Sequence, residues 1–358
     1  MNVGSAYLVR KNAQQTQSQY KFHFYYGNTL RIENMFADTD SDLNQWLDML
    51  QSEELSDRLV AVKALQHLGE EAAVEPLITA LDDESPTVQK LAVTALWELA
   101  NPKAVPALLT CLESPDAEIR QEAQSALGEL VTPDHLLLLL DALQKDNLNV
   151  QLSVLILLRK IHDVQSLPYV LPFFEAEQPA LREAAITTLR YLNQVERCQP
   201  ALVLIADSDP TVRRAAALTL GHLADQEVVS LLSQVLTSDA DWQVRRNAAK
   251  SLALHASPEA LPALRNALED EHWQVRKFAI QALQKIPDEQ FLPAFVKALT
   301  DEYSDVRRDA AIALGILKNP TALNALQQAL DDPDQDVSIH AQRAIQTIQE
   351  SQQGSAHA

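Results

Sequence analysis

One apolar residue returns along this chain at a nearly fixed interval, at Val88, Ile119, Val150, Leu181, Val212, Val244, Val275, Val306 and Val337. Every step is 31 residues except the 32 between Val212 and Val244, and one period before Val88 stands Asp57, the single polar exception. Four residues after each anchor comes a compact side chain: Ala61, Ala92, Ala123, Val154, Ala185, Ala216, Ala248, Ala279, Ala310 and Ala341. Eight residues after comes a Leu in every unit until the last, where it is Ile345. Apolar groups at i, i+4 and i+8 share one face of a helix, and a row of Ala lets neighbouring helices approach closely. A period of this size marks a supersecondary unit that cannot bury its own stripe, so the units must stack.

Each unit carries a second helical stretch ahead of the first, as in "AVPALLTCLES" and "ALPALRNALED". Pro106, Pro168, Pro262 and Pro293 fall in its first turn, where a missing N–H costs little. Acidic and small residues such as Asp82-Asp83-Glu84-Ser85-Pro86 separate the two helices. The unit is a helical hairpin, and ten of them over residues 41–350 predict an all-α fold, an α-solenoid wound as a right-handed superhelix without internal domain boundaries. The extra residue between Leu236 and Val244 is expected to form a bulged loop in "TSDADWQ". Residues 1–40 lack the repeat and are expected to be a poorly ordered arm, unless Met35 is the natural start; the polar tail 351–358 is expected to be disordered.

Composition narrows the function. The chain has only 7 Gly, which fits helices better than a turn-rich sheet protein. With 2 Cys there is no disulfide framework, and a reduced, cytoplasmic setting is expected. No apolar run approaches the roughly 18 residues of a membrane span. A net charge of -20 disfavours nucleic acid and anionic lipid as general partners, since phosphate contacts require cations.

The units "DPTVRRAAALTLGHLAD" and "YSDVRRDAAIALGILKNP" resemble HEAT-like repeats of the phycobilisome-lyase type, and the resemblance extends over residues 41–350. It implies a curved two-layer stack with the second helix of each hairpin lining the concave side. It also implies a cyanobacterial protein that works by binding, assisting phycobilisome or cofactor assembly. The implied partners are a phycobiliprotein, a lyase partner subunit or an A-type iron–sulfur scaffold. The alternative it raises is a phycobilin lyase subunit that holds a bilin non-covalently while the acceptor's cysteine attacks. An iron–sulfur cluster shared with a partner is the other cofactor implied. No intrinsic cofactor is expected.

The residue after each anchor is mostly Arg: Arg58, Arg120, Arg182, Arg213, Arg245, Arg276 and Arg307, with Gln89, Gln151 and Ser338 elsewhere. A ladder to acids of the neighbouring turn, such as Asp209 or Asp241, accounts for such a row, because guanidinium suits bidentate pairing with carboxylate. The next position reads Arg214, Arg246, Lys277 and Arg308 in four late units, but Lys90, Gln121, Leu152 and Glu183 in four early ones. With hairpins about 10 Å apart, the late units present basic doublets in a row. Trp242 and Trp273 stand two residues before their anchors and Tyr303 three before its own, at helix amino ends where free N–H groups favour anions. Aromatics covering the repeat edge are the competing reading. The candidate binding residues are therefore Arg213, Arg214, Trp242, Arg245, Arg246, Trp273, Arg276, Lys277, Tyr303, Arg307 and Arg308.

Cys111 aligns with small core residues and is expected to be buried, and Cys198 to be more exposed. The His residues lack partnered carboxylates at ligand spacing, which argues against a metal-dependent hydroxylase. No phosphate loop or nucleophile elbow is present, so neither catalytic nor metal residues are assigned.

Overall fold

The repeat becomes a succession of helical hairpins in the computed structural model of the chain, which describes residues 39–356 apart from Glu70 and Asn193. No strand occurs among the described residues. The expected arm at residues 1–40 lies outside them, save for 39 and 40, which open the first helix.

Two compact units divide between Ala126 and Leu127. The first contains α1 (Thr39–Leu50), α2 (Leu55–Leu68), α3 (Val74–Thr79), α4 (Pro86–Leu99), α5 (Val105–Cys111) and most of α6 (Ala117–Leu130), the helix in which the division falls. The second begins with α7 (Leu136–Leu143), α8 (Leu148–Ile161), α9 (Leu167–Val170), α10 (Pro179–Leu189), α11 (Gln199–Leu202), α12 (Pro210–Leu220) and α13 (Val228–Ser238). It continues with α14 (Trp242–His255), α15 (Leu261–Ala267), α16 (Trp273–Leu283), α17 (Leu292–Ala298), α18 (Ser304–Leu317), α19 (Leu323–Gln328) and α20 (Gln335–Ala356). Even-numbered helices carry the anchors, except in the pair α1 and α2, where Asp57 holds that place.

The periodic residues do what their spacing requires. All ten residues of the Ala row, including Val154, are fully buried at 0% exposure, so each marks a point of close helix contact. Within the second unit α8 packs on α10, α10 on α12, and so on to α20. Ile345 is the one Leu-row residue left partly exposed, and Ile348 takes its buried place at the end of the stack. Pro106, Pro168, Pro262 and Pro293 each sit in the first turn of their helices.

Buried hydroxyls add directional bonds at three consecutive joints. Thr188 Oγ1 donates to the Leu155 carbonyl at 2.8 Å, Thr219 Oγ1 to Ile186 at 3.0 Å and Ser251 Oγ to Ala217 at 2.7 Å. The last joint is the tightest. A Cβ on Gly221 would stand 2.5 Å from Ser251 Oγ and 2.7 Å from its Cβ, so only glycine fits.

The arginine row forms a ladder. Arg182 donates from Nε and Nη2 to Asp207 at 2.7 and 2.8 Å, while its Nη1 holds the carbonyls of Ala176 and Glu177. The same bidentate pairing joins Arg58 to Asp83, Arg213 to Asp239, Arg245 to Asp270, Arg276 to Asp301 and Arg307 to Asp332. Each rung closes two turns at once. The acids named from the sequence have other tasks: Asp209 accepts from the Thr211 N–H, and Asp241 caps α14 through Gln243 and Val244. Gln89 and Gln151 bond the carbonyls of their own turns instead, at Asp83 and Lys145.

Three local expectations change. The residue added before Val244 forms no bulge, because α13 stays helical through Ser238 and the Asp239 N–H still reaches the Val235 carbonyl at 3.0 Å. Rung separation widens from 25 to 26 residues there, which places the insertion before Asp239, inside the helix. The tail expected to be disordered from 351 is helical to Ala356, since the "ESQQ" run continues α20 without a Pro to stop it. Cys198 is 5% exposed, against the expectation of a more open thiol. Its backbone N–H is tied to Asp225, which draws the start of α11 inward.

Gly221→Ala is expected to lower stability by about 1–3 kcal/mol, the usual cost of overpacking, with Ser251→Gly restoring part of it in urea unfolding. Asp207→Asn should cost about 2 kcal/mol, because it strips charge-assisted bonds from a guanidinium only 13% exposed. The Arg182 bond holds Asp207 below its ordinary pKa of 3.8, and the Arg307 bond does so for Asp332. A depressed carboxylate contributes stability above the unfolded value and loses it as pH falls through the folded one. The urea midpoint should therefore be flat above about pH 5 and fall below about pH 4, less steeply when Asp207 and Asp332 are both replaced.

Candidate functional site

The second basic position of each late unit lies one residue past its ladder arginine, on the face of α12, α14, α16 and α18 that turns away from the rung. Their local partners differ. Arg214 donates from Nε to Asp241 at 2.9 Å. Lys277 reaches Asp305 at 3.0 Å, and Arg308 pairs with Asp305 at 2.7 Å and with Asp309 at 3.3 Å. Arg246 has no carboxylate partner among the described residues. It donates instead to the amide oxygen of Asn247, at 3.1 and 2.9 Å.

Register explains the exception. Asp241 follows Arg214 by 27 residues across the one-residue insertion, so the matching residue for Arg246 is His272. Asp305 follows Lys277 by 28, and the residue the same distance after Arg246 is Gln274. Both neutralising positions are filled by uncharged or weakly basic groups. Burial and the neighbouring Arg214 push the Arg246 guanidinium below its ordinary pKa, with Asp241 pulling the other way, while its Asp241 bond holds Arg214 above.

The aromatics are engaged with one another. Trp242 stacks on His272 with ring centroids 4.3 Å apart, and Trp273 on Tyr303 at 5.1 Å. Arg246 lies over the Trp242 ring at 5.4 Å and Lys277 over Trp273 at 5.9 Å. Each Trp thus opens its own helix and leans on the residue just before the next one, covering the repeat edge as well as flanking the cations. The N–H groups at the start of α14 are satisfied by Asp241, so that helix end does not present an open anion site.

Between α14 and α16 lies an open cavity of about 380 Å³ whose walls include Arg246, Lys250, Trp273, Gln274, Lys277 and Phe278. Three of these are cations. Gln274 Oε1 is buried and accepts no hydrogen bond among the described residues. Of the residues named from the sequence, the structure brings Arg246, Trp273 and Lys277 together at this cavity. Arg214, Trp242, Tyr303 and Arg308 flank it along the row, and Arg213, Arg245, Arg276 and Arg307 belong to the ladder. Lys250, Gln274 and Phe278 were not foreseen. Their signal was present at helical spacing, since Lys250 stands four residues after Arg246, and Gln274 and Phe278 follow Trp273 and Lys277, respectively, by one on the same helix.

The cation field extends past the cavity. His222, beside the end of α12, is held below its ordinary pKa by burial and by Arg190, His255 and Lys250. Both thiols lie above theirs, Cys111 pushed up to about 11, chiefly by burial. Neither offers a ready thiolate to a cluster. No group of three or more His, Cys, Asp or Glu residues placed to hold a metal occurs among the described residues, and none of their helices is long and apolar enough to cross a membrane.

A family model described as HEAT repeats matches residues 43–128, 108–190, 167–240, 199–274, 229–309 and 262–346. No curated protein matches the chain. Among solved structures, an engineered protein is 22% identical over 86% of this chain and 99% of its own, with a TM-score of 0.50. Yeast importin-beta (Kap95p) is 16% identical over 87% of this chain and 52% of its own, with a TM-score of 0.57. The chain in a Kap95:Nup1 complex is similar at 16% identity over 87% and 52%, with a TM-score of 0.58. This chain spans about half the length of those importin-beta chains. At these identities the likeness is one of fold.

Arg246→Gln is expected to leave stability unchanged or raise it slightly, because it removes a cation that has no carboxylate to lose. Arg214→Gln should cost about 1 kcal/mol by breaking the Asp241 bond. Chemical denaturation of the two variants side by side measures the difference.

Proposed function

This chain belongs to the HEAT-repeat family, and from that premise we propose that it is a protein-binding scaffold whose contact face is the row of second helices from α12 to α18. The observation that carries the reading is the row Arg214, Arg246, Lys277 and Arg308, in constant phase on the second helices of four consecutive hairpins of a chain with net charge -20. A chain so negative overall repels acidic partners from most of its surface and attracts them to the few places where cations gather. The cavity beside Arg246 adds relief to that face, and the similar Kap95 chain in complex with Nup1 supports protein binding as a use of such stacks. The resemblance to phycobilisome-lyase repeats supports assembly factors and antenna proteins as the partners. In that setting the chain would be a cytoplasmic helper of phycobilisome or iron–sulfur assembly. With both thiols buried, cluster ligands would come from the partner.

The cavity also favours a second reading, a phycobilin lyase subunit. Cations beside an aromatic wall and an unpaired acceptor suit a pigment that carries propionates and pyrrole N–H groups. The two readings separate by colour: a lyase subunit co-produced with a bilin and its partner subunit should turn coloured and raise the yield of pigmented antenna protein, whereas a scaffold should do neither.

For the scaffold reading, the triple variant Arg246→Glu, Lys277→Gln, Arg308→Gln should abolish capture of a defined partner in pull-downs while helicity by circular dichroism is retained. Gln121→Lys with Glu183→Lys, at the matched early positions, should leave capture intact. Equal loss from both sets of changes would remove the late repeats as the contact face.

A further inference from the structure

The basic row contains one gap in its neutralisation, and the gap coincides with the cavity. Arg214, Lys277 and Arg308 each have an acid on their own helix, on the following one or at its cap, whereas the matching places around Arg246 hold Gln243, Asn247, His272 and Gln274. Lys250, one turn further along α14, has no ion-pair partner among the described residues either. Gln274 stands where the following unit has Asp305, with its Oε1 buried and accepting nothing. A buried acceptor without a donor is unfavourable until something donates to it. The site therefore lacks two things at adjacent points: a negative charge for Arg246 and Lys250, and an N–H for Gln274.

An acidic residue in a peptide chain carries both, its side-chain carboxylate and its own backbone N–H. Leu218, Phe278 and Trp273 line the rest of the cavity and offer an apolar wall to a neighbouring side chain. We propose that this cavity receives an acidic, partly apolar segment of a partner protein, one carboxylate of which gives Arg246 the charge that Asp305 gives Lys277 one unit later. The carboxylate pairs with Arg246 and Lys250, and the Gln274 amide, which has no partner to lose, turns to accept the backbone N–H. An apolar residue beside the acid packs on Phe278. The proposal rests on the protein-binding reading of this face and goes further by fixing where the anchor sits and what it is. Nucleic acid is the weaker candidate for the same cations, because the surrounding charge is strongly negative and phosphate contacts at a single cavity are few.

The decisive variant is Gln274→Glu, which builds the missing acid into the protein. It should raise the melting temperature, because Arg246 then has a partner, so loss of binding cannot be ascribed to unfolding. The probe is a fluorescein-labelled synthetic peptide of Asp and Glu around a central Phe, titrated with the full chain and read by anisotropy, against the same peptide with Asn and Gln in place of the acids. The wild type should bind the acidic peptide and not the amide form, and Gln274→Glu and Arg246→Gln should each weaken binding by about 10-fold or more, the worth of a charge-assisted bond. Equal binding by wild type and Gln274→Glu would overturn the proposal, as would failure of the wild type to bind. Binding of biliverdin that Gln274→Glu abolishes, with no peptide binding, overturns it in favour of the pigment, and binding of a single-stranded oligonucleotide alone overturns it in favour of nucleic acid. If the cavity proposal falls but the triple variant of the row still loses its partner, the scaffold reading stands without it.

Discussion

A guanidinium that grips two turns at once governs much of this molecule. Each ladder arginine ties the carbonyls of its own inter-helix turn and the carboxylate of the next, so where a rung is present the separation between hairpins is set by hydrogen-bond geometry as well as by packing. The Ala row brings the helices close, but smooth apolar contact alone leaves their relative slide and rotation weakly determined. Bidentate bonds at the turns remove that freedom. The insertion in α13 shows how strictly the rung is kept, since the chain lengthens a helix and leaves the six-residue step from Asp239 to Arg245 as it is from Asp270 to Arg276 in the neighbouring unit.

The fold was legible because its determinants are local and repeated. A compact residue four positions after each anchor needs no knowledge of what it touches to be read as a contact point, and every member of that row is buried. The rungs were half legible. Arginine in phase implied a ladder, but its acids stand two residues before the helix caps that were named, and that offset depends on how the turn folds. Asp209 and Asp241 looked equally suitable in sequence, yet an aspartate immediately before a helix is claimed by the N–H groups that follow it. Cys198 is buried for a related reason, since its place in the repeat does not disclose the Asp225 bond that draws it inward.

The candidate site was legible as a composition and not as an arrangement. Counting cations in phase identified the late units, but the count treated Arg214, Arg246, Lys277 and Arg308 as equivalents. What distinguishes them is which residue arrives on or beside the following helix, and that is decided 27 or 28 positions later, past an intervening helix that in α13 is one residue longer. The same holds for the tryptophans: each was placed correctly at a helix start, while the stacking on His272 and Tyr303 depends on the spacing between consecutive helices. A search restricted to one position of the repeat could not have brought Lys250, Gln274 and Phe278 into view, because they come from three different phases.

The three buried hydroxyls of Thr188, Thr219 and Ser251 have a bearing on how the basic row meets a visitor. They occur at consecutive joints leading into α14, and nowhere else in that phase does the described chain place a hydroxyl, Ala or Leu standing there instead. A bond with a preferred direction makes a joint resist shear in a way that methyl groups cannot. The joints on the amino side of Arg246 are thereby fixed in direction as well as in distance, and a platform so fixed has little motion to forfeit when it is occupied.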